Sequence, residues 1–207
     1  MRLNLALLLL CLAGAAAYTF HADYTGKRAG SMQAGGGGGA SASGSGQTPS
    51  PKTAAPDFSF KDIKGMRRDL HDFGGKAIVL NFWASWCAPC VIEFPQMLDL
   101  AKQTRENAVF IFLSIDDSDE AMMRFVQKLG PDAAADTVYI GRDADKTVAQ
   151  DLFQTYKIPE TFLITPDLVI AEKIIGADIA WNDAAMAERL RALAETGNAP
   201  PEDKNPQ

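Results

Sequence analysis

Two near-continuous apolar runs, Ile78-Val79-Leu80-Asn81-Phe82-Trp83 and Val109-Phe110-Ile111-Phe112-Leu113-Ser114-Ile115, constrain this chain more than any other feature. A strand without polar alternation has both of its faces covered, as at the centre of a sheet held between two layers. Between them, Ala88 to Arg105 carries Leu98, Ala101 and Lys102 at helical spacing. A strand, helix, strand unit of that length makes parallel neighbours joined by a right-handed crossover. The expected class is α/β, a central mixed sheet flanked by helices.

The later pattern extends that sheet. Ser118-Asp119-Glu120 supplies an N-cap and first-turn acids for a helix with Met122, Phe125, Val126 and Leu129 on one face, ended by Gly130-Pro131. Thr137 to Ile140 reads as a strand, and Val148, Ala149, Leu152, Phe153 and Tyr156 recur at helical spacing. Thr161 to Thr165 and Leu168 to Ile175 form a hairpin around Pro166-Asp167. A last amphipathic helix, Asp183 to Glu195, buries Met186, Leu190 and Leu193. One domain over residues 57–195 is expected, followed by a disordered tail, 196–207, with Pro200-Pro201.

The N-terminal quarter is of another kind. Residues 1–20 open with Arg2, run through Leu5 to Leu10 and pass Ala15-Ala16-Ala17, the order of an export signal. The segment reads either as a peptide cleaved after Ala17 or as a retained anchor, since about 18 apolar residues just cross the hydrocarbon layer. Residues 21–56, with Gly35 to Gly39 and the Ser/Gly/Pro run Ser41 to Pro51, form a flexible linker. A tether favours retention, and one of roughly 35 residues lets the domain range about 30 to 35 Å from the bilayer. A disordered propeptide remnant is the other reading. The expected location is the periplasm or the extracytoplasmic face of the membrane. Cys11 is read as a small apolar residue of the leader, with lipidation as the alternative.

With 207 residues, 47% apolar and 22% charged, the chain has material for one ordinary core. Its net charge of −6 excludes a nucleic-acid surface, which needs clustered Lys and Arg. Only 3 cysteines are present and Cys11 is in the leader, which excludes a disulfide-rich scaffold.

The body therefore holds one cysteine pair, in Trp86-Cys87-Ala88-Pro89-Cys90, between an apolar strand and a helix. At a helix N-terminus, unpaired N–H groups and the helix dipole stabilise a thiolate and lower its pKa from about 8.5 toward 7 or below. Cys87 is the expected nucleophile. Cys90, one turn on, is the expected resolving thiol, attacking the mixed disulfide to release reduced substrate. Half of a zinc site has the same spacing, but the domain holds no further cysteine and His71 is its only histidine, so no metal or other cofactor is expected. Glu93 falls on the same helical face as Cys90 and is a candidate proton shuttle, with a solvated surface acid as the alternative.

The segment Val79 to Pro95 closely resembles the active-site region of the TlpA/ResA/CcmG-type thioredoxin-like proteins, which are exported thiol-disulfide reductases, so reduction of protein disulfides by exchange through Cys87 and Cys90 is the expected function. The resemblance runs from Ala55-Pro56-Asp57-Phe58 through Gly75-Lys76 to Ile158-Pro159-Glu160-Thr161-Phe162-Leu163-Ile164. It implies a thioredoxin-like fold, with the stretch Asp116 to Lys157 as the central helix-strand insertion of that group, roughly two dozen residues beyond a minimal thioredoxin. It also implies a cis Pro159 facing the cysteines and presenting Ile158 to an extended substrate, with Trp86 beside the pair as a further substrate-binding residue. Pro95 matches a kink in the active-site helix. Asn81 stands where cytoplasmic thioredoxins carry a titrating Asp, so Glu93 takes that task or none does. Glu160 lines the substrate groove or is a rim charge.

The partners implied are protein disulfides, apocytochrome c among them, and an upstream membrane electron donor. The redox direction stays open, because related folds span about −270 to −120 mV. Two alternatives share the scaffold. A peroxiredoxin-like peroxidase fits Pro56-Asp57-Phe58 with Gly74-Gly75-Lys76, but the hydroxyl residue required three before the cysteine is Ala84 here. A Sco-like copper-binding chaperone resembles C-x-x-x-C with a distal His, neither of which this chain has.

Overall fold

The computed structural model describes residues 52–198. The leader, Cys11, most of the linker and the tail beyond Asn198 lie outside the described residues.

The two apolar runs are β3 (Ala77–Trp83) and β4 (Ala108–Ser114), buried along their whole lengths. They pair in parallel from Ala77 opposite Ala108 to Trp83 opposite Ser114. The crossover is helix α1 (Ala88–Gln103), which turns Cys90, Glu93, Phe94, Met97, Leu98 and Ala101 toward the sheet. Two short strands, β1 (Ser59–Lys61) and β2 (Arg67–Asp69), precede them as an antiparallel hairpin that the apolar pattern did not announce. After β4 come α2 (Asp119–Val126), β5 (Val138–Arg142), β6 (Glu160–Ile164), β7 (Ile170–Ile175) and α3 (Ala184–Thr196). The sheet order is β5-β4-β3-β6-β7, with β6 and β7 antiparallel to their neighbours.

Period-2 alternation divides the core. Val79, Trp83, Phe110, Phe112 and Leu163 meet α1, α2 and α3 on one face. Ile78, Leu80, Phe82, Ile111, Leu113 and Phe162 meet Phe58, Phe60, Leu70, Phe73, Val148 and Phe153 on the other. This is the α/β thioredoxin-like arrangement, insertion included.

Three expectations are corrected. The segment behind Asp145 is one π-helical turn, Thr147–Leu152, bounded by left-handed residues at Lys146 and Gln154. Buried Asp143 accepts from the N–H groups of Val148 and Ala149 and so caps a turn that does not propagate; Tyr156 ends up 77% exposed. The linker boundary moves as well: Lys52 N–H donates to the Ile170 carbonyl, Ala55 N–H to Leu168, and Ile170 N–H to Thr53, so residues 52–55 pair with the start of β7. Thr196 is the last residue of α3, with left-handed Gly197 as its C-cap, and does not belong to a tail.

The opposite edge, β5, is covered by the first hairpin. Ile63 N–H donates to the Ile140 carbonyl, and a Cβ on Gly141 would lie 2.5 Å from the Phe60 ring and 2.7 Å from the Lys61 carbonyl. Only glycine admits that approach.

Candidate active site

Cys87 and Cys90 form a disulfide with their Cα atoms 5.3 Å apart. The β3-to-α1 junction places them: Cys87 is the N-cap residue in extended conformation, and its Sγ accepts from the Cys90 N–H at 3.4 Å. Pro89 occupies the first turn, where its missing N–H leaves no bond unmade. Cys87 keeps 6% of its surface accessible against 1% for Cys90, so a partner reaches Cys87 first.

The cis peptide is present at Ile158-Pro159. Because β6 runs antiparallel to β3 with Glu160 opposite Phe82, its N-terminal end emerges at the C-terminal end of β3 and brings Ile158 and Pro159 to the junction that carries the cysteines. The Pro159 carbonyl accepts from Gly176 N–H, fixing the end of β7 to the same corner. Trp86, at 64% exposure, stands at the open side of the pair, and Ile92 on α1 is also exposed.

Two expectations separate here. Glu93 is no surface acid: it is buried, with Oε1 accepting from Asn81 Nδ2 at 3.3 Å and Oε2 from Trp181 Nε1 at 3.2 Å. Burial pushes its carboxyl from 4.5 up to about 7, against the two hydrogen bonds, which lower it. Asn81 also donates to Thr161 Oγ1 at 2.9 Å, its cross-strand neighbour on the helix-covered face. Asn81 therefore does not titrate in place of an Asp; it orients the Glu93 that can.

Glu160 is neither groove lining nor rim charge. It is buried and paired with Lys173 Nζ at 2.5 Å across β6 and β7, because register places it opposite Phe82, on the sheet face that carries Phe162 and not on the helix-covered face of Asn81 and Thr161. Trp181, Asp116 and Ser85 were missed from sequence. Asp116 left a signal, a lone acid at the end of an apolar strand; Trp181 left none, since the connection from β7 to α3 has no periodicity. Among the described residues no cluster of His, Cys, Asp and Glu could hold a metal ion, and no helix is long and apolar enough to cross a membrane.

Comparison with known proteins agrees with this geometry. The AhpC/TSA family profile matches residues 51–173. A protein of Bacillus thuringiensis named thiol-disulfide oxidoreductase ResA is 36% identical over 126 residues, which span 59% of this chain and 68% of the relative. A Bacillus cereus protein of the same name is 31% identical over 178 residues, 82% of this chain and 85% of the relative. Among solved structures, one described as a putative thiol:disulfide interchange protein DsbE from Chlorobium tepidum shares the fold at TM-score 0.62 and 24% identity, covering 70% of this chain and 99% of that one. A disulfide at the N-terminus of a sheet-crossing helix, together with this similarity, places the chain in the AhpC/TSA family, among its ResA-type thiol-disulfide oxidoreductases.

Proposed function

We propose that the protein reduces disulfides in other proteins on the extracytoplasmic side of a membrane. The observation that carries the mechanism is the Cys87 Sγ seated on the Cys90 N–H, at a helix N-terminus and at the more accessible end of the pair.

In the dithiol form, Cys87 reacts as the thiolate that these N-terminal groups stabilise. It attacks one substrate sulfur; the substrate S–S bond breaks, and the departing thiolate takes up a proton. The remaining substrate half is then bonded to Cys87. Cys90 loses its proton to the Glu93 carboxylate, attacks Cys87 Sγ, and expels the second substrate thiolate, which is protonated in turn. Two electrons pass from the cysteine pair to the substrate, and the Cys87–Cys90 bond is restored. Glu93 suits the proton transfer because its value near 7 lets it accept and return a proton at neutral pH.

Glu93 also supports the reducing direction. A carboxylate one helical turn from Cys90 disfavours a second negative charge there. That raises the thiolate form relative to the disulfide, the reverse of a strong oxidant, whose reduced form is stabilised. Peroxide reduction is served less well, since Ala84 is fully buried and carries no hydroxyl.

Export rests on the charge, apolar core and small-residue order of residues 1–20, and anchoring on the linker behind it. The electron donor is then a membrane dithiol protein, and apocytochrome c is one substrate of the proposed class. Cys90→Ser should trap substrate on Cys87 as a mixed disulfide, while Cys87→Ser should reduce neither insulin nor a small disulfide. Turnover surviving in Cys87→Ser would sink the mechanism. A midpoint potential near the oxidising end of about −120 mV would overturn the direction. Recovery of a soluble protein beginning near Tyr18 would show a cleaved leader.

A further inference from the structure

The loop that delivers Cys87 is gripped by a carboxylate from the neighbouring strand. Ala84-Ser85-Trp86 joins β3 to the N-cap of α1 and closes as a turn, with the Cys87 N–H donating to the Ala84 carbonyl at 3.1 Å. Asp116, just past β4, is fully buried. Its Oδ2 accepts from the Ser85 N–H at 2.9 Å and its Oδ1 from the Ser85 hydroxyl at 2.7 Å. The Ser114 hydroxyl donates to Oδ2 at 2.6 Å. Parallel register brings them together: Trp83 lies opposite Ser114, and the Ile115 N–H donates to the Trp83 carbonyl at 2.9 Å, so the residues just beyond both strand ends leave the sheet side by side.

As filler this carboxylate is a poor choice. Burying it against neutral donors costs more than an apolar side chain of equal volume would. Two of its three donors belong to one residue, two positions before Cys87.

The geometry points to Asp116 as the positioning residue of the active-site turn: by holding Ser85 through main chain and side chain together, it seats Cys87 at the N-cap of α1 and turns Trp86 outward. The Cys87 thiolate is stabilised only while Sγ stays against the first-turn N–H groups. A reacting atom displaced by about 1 Å can cost on the order of 100-fold in rate. The inference rests on Cys87 being the attacking thiol.

Ser85 is half-buried, so its variants test the grip without emptying the core. Ser85→Ala removes the hydroxyl bond and Ser85→Thr keeps it. The readouts are the iodoacetamide alkylation rate of Cys87 in a Cys90→Ser background, and kcat/KM for insulin reduction in the two-cysteine protein. Ser85→Ala should lower both by at least about tenfold, the loss of one hydrogen bond to a charged group, and Ser85→Thr should restore both to within twofold. Asp116→Ala, which removes both acceptors of Ser85, should lower them by about 100-fold. Ser85→Ala within twofold of the parent, or Ser85→Thr as impaired as Ser85→Ala, would overturn the assignment. Neither result touches the exchange mechanism, which fails separately if Cys87→Ser retains turnover.

Discussion

Trp181 Nε1 donates to Glu93 Oε2 at 3.2 Å across 88 positions of sequence, tying the connection ahead of α3 to the acid of the active-site helix. The donor favours the ionised carboxyl while burial favours the neutral one, and the balance near 7 is what makes Glu93 useful for moving protons.

That balance fixes a pH dependence of stability. The folded-state value lies above the ordinary 4.5, so between about 4.5 and 7 the folded protein holds a proton that the unfolded chain has released. Stability from this group is complete below about pH 4.5, falls as pH rises through 7, and is level above. The total is about 3 kcal/mol for so buried a side chain. Glu93→Gln should remove this slope, and urea unfolding of both oxidised proteins from about pH 4 to pH 9 measures it. A parent-variant difference that stays constant with pH rules the coupling out.

The same acid should act unequally on the two thiols. Glu93 is one helical turn from Cys90 and about two from Cys87, so Glu93→Gln should lower the Cys90 pKa and move Cys87 less. Trp181→Phe should do the opposite to Glu93 itself: losing the donor raises the carboxyl further, shifting the pH at which Cys90 resolves a mixed disulfide upward. Alkylation rates of single-cysteine variants against pH report the first effect, and the pH profile of mixed-disulfide release the second. If neither thiol responds to Glu93→Gln, the proton-transfer role is lost.

Glu160 should matter to the fold and not to turnover. Removing it as Glu160→Ala leaves Lys173, 17% exposed in its side chain, without its anion inside the sheet. The cost should be about 2 to 4 kcal/mol, with kcat/KM of the folded fraction within twofold of the parent. Trp86→Ala should show the reverse, near-parental thermal stability with a higher KM for protein disulfides. Thermal melts and insulin-reduction kinetics on the two variants test the contrast, and a turnover defect in Glu160→Ala at low temperature would return Glu160 to the substrate groove.

Gly141→Ala should loosen the first hairpin from β5. The new methyl must displace the Phe60 ring and cannot displace the Lys61 carbonyl without moving β1. Overpacking of this kind costs about 1 to 3 kcal/mol. A thermal midpoint equal to that of the parent would show that the hairpin shifts without cost.

By itself the sequence determined the sheet centre, the crossover helix and the cysteine pair at its head, because apolar continuity, helical spacing and the position of Trp86-Cys87-Ala88-Pro89-Cys90 are local properties of the chain. It also singled out Glu93 and Pro159. Tertiary structure alone decided their surroundings. Whether Glu93 is a surface charge or a buried acid depends on Trp181, which arrives from 88 residues away, and on Asn81 from the middle of an apolar strand. Glu160 pairs with Lys173 because antiparallel register places it opposite Phe82, on the sheet face away from α1. Asp116 meets Ser85 only because two parallel strands end level. These are pairings between segments far apart in sequence, set by strand register and by what packs over each face, and no local spacing encodes them.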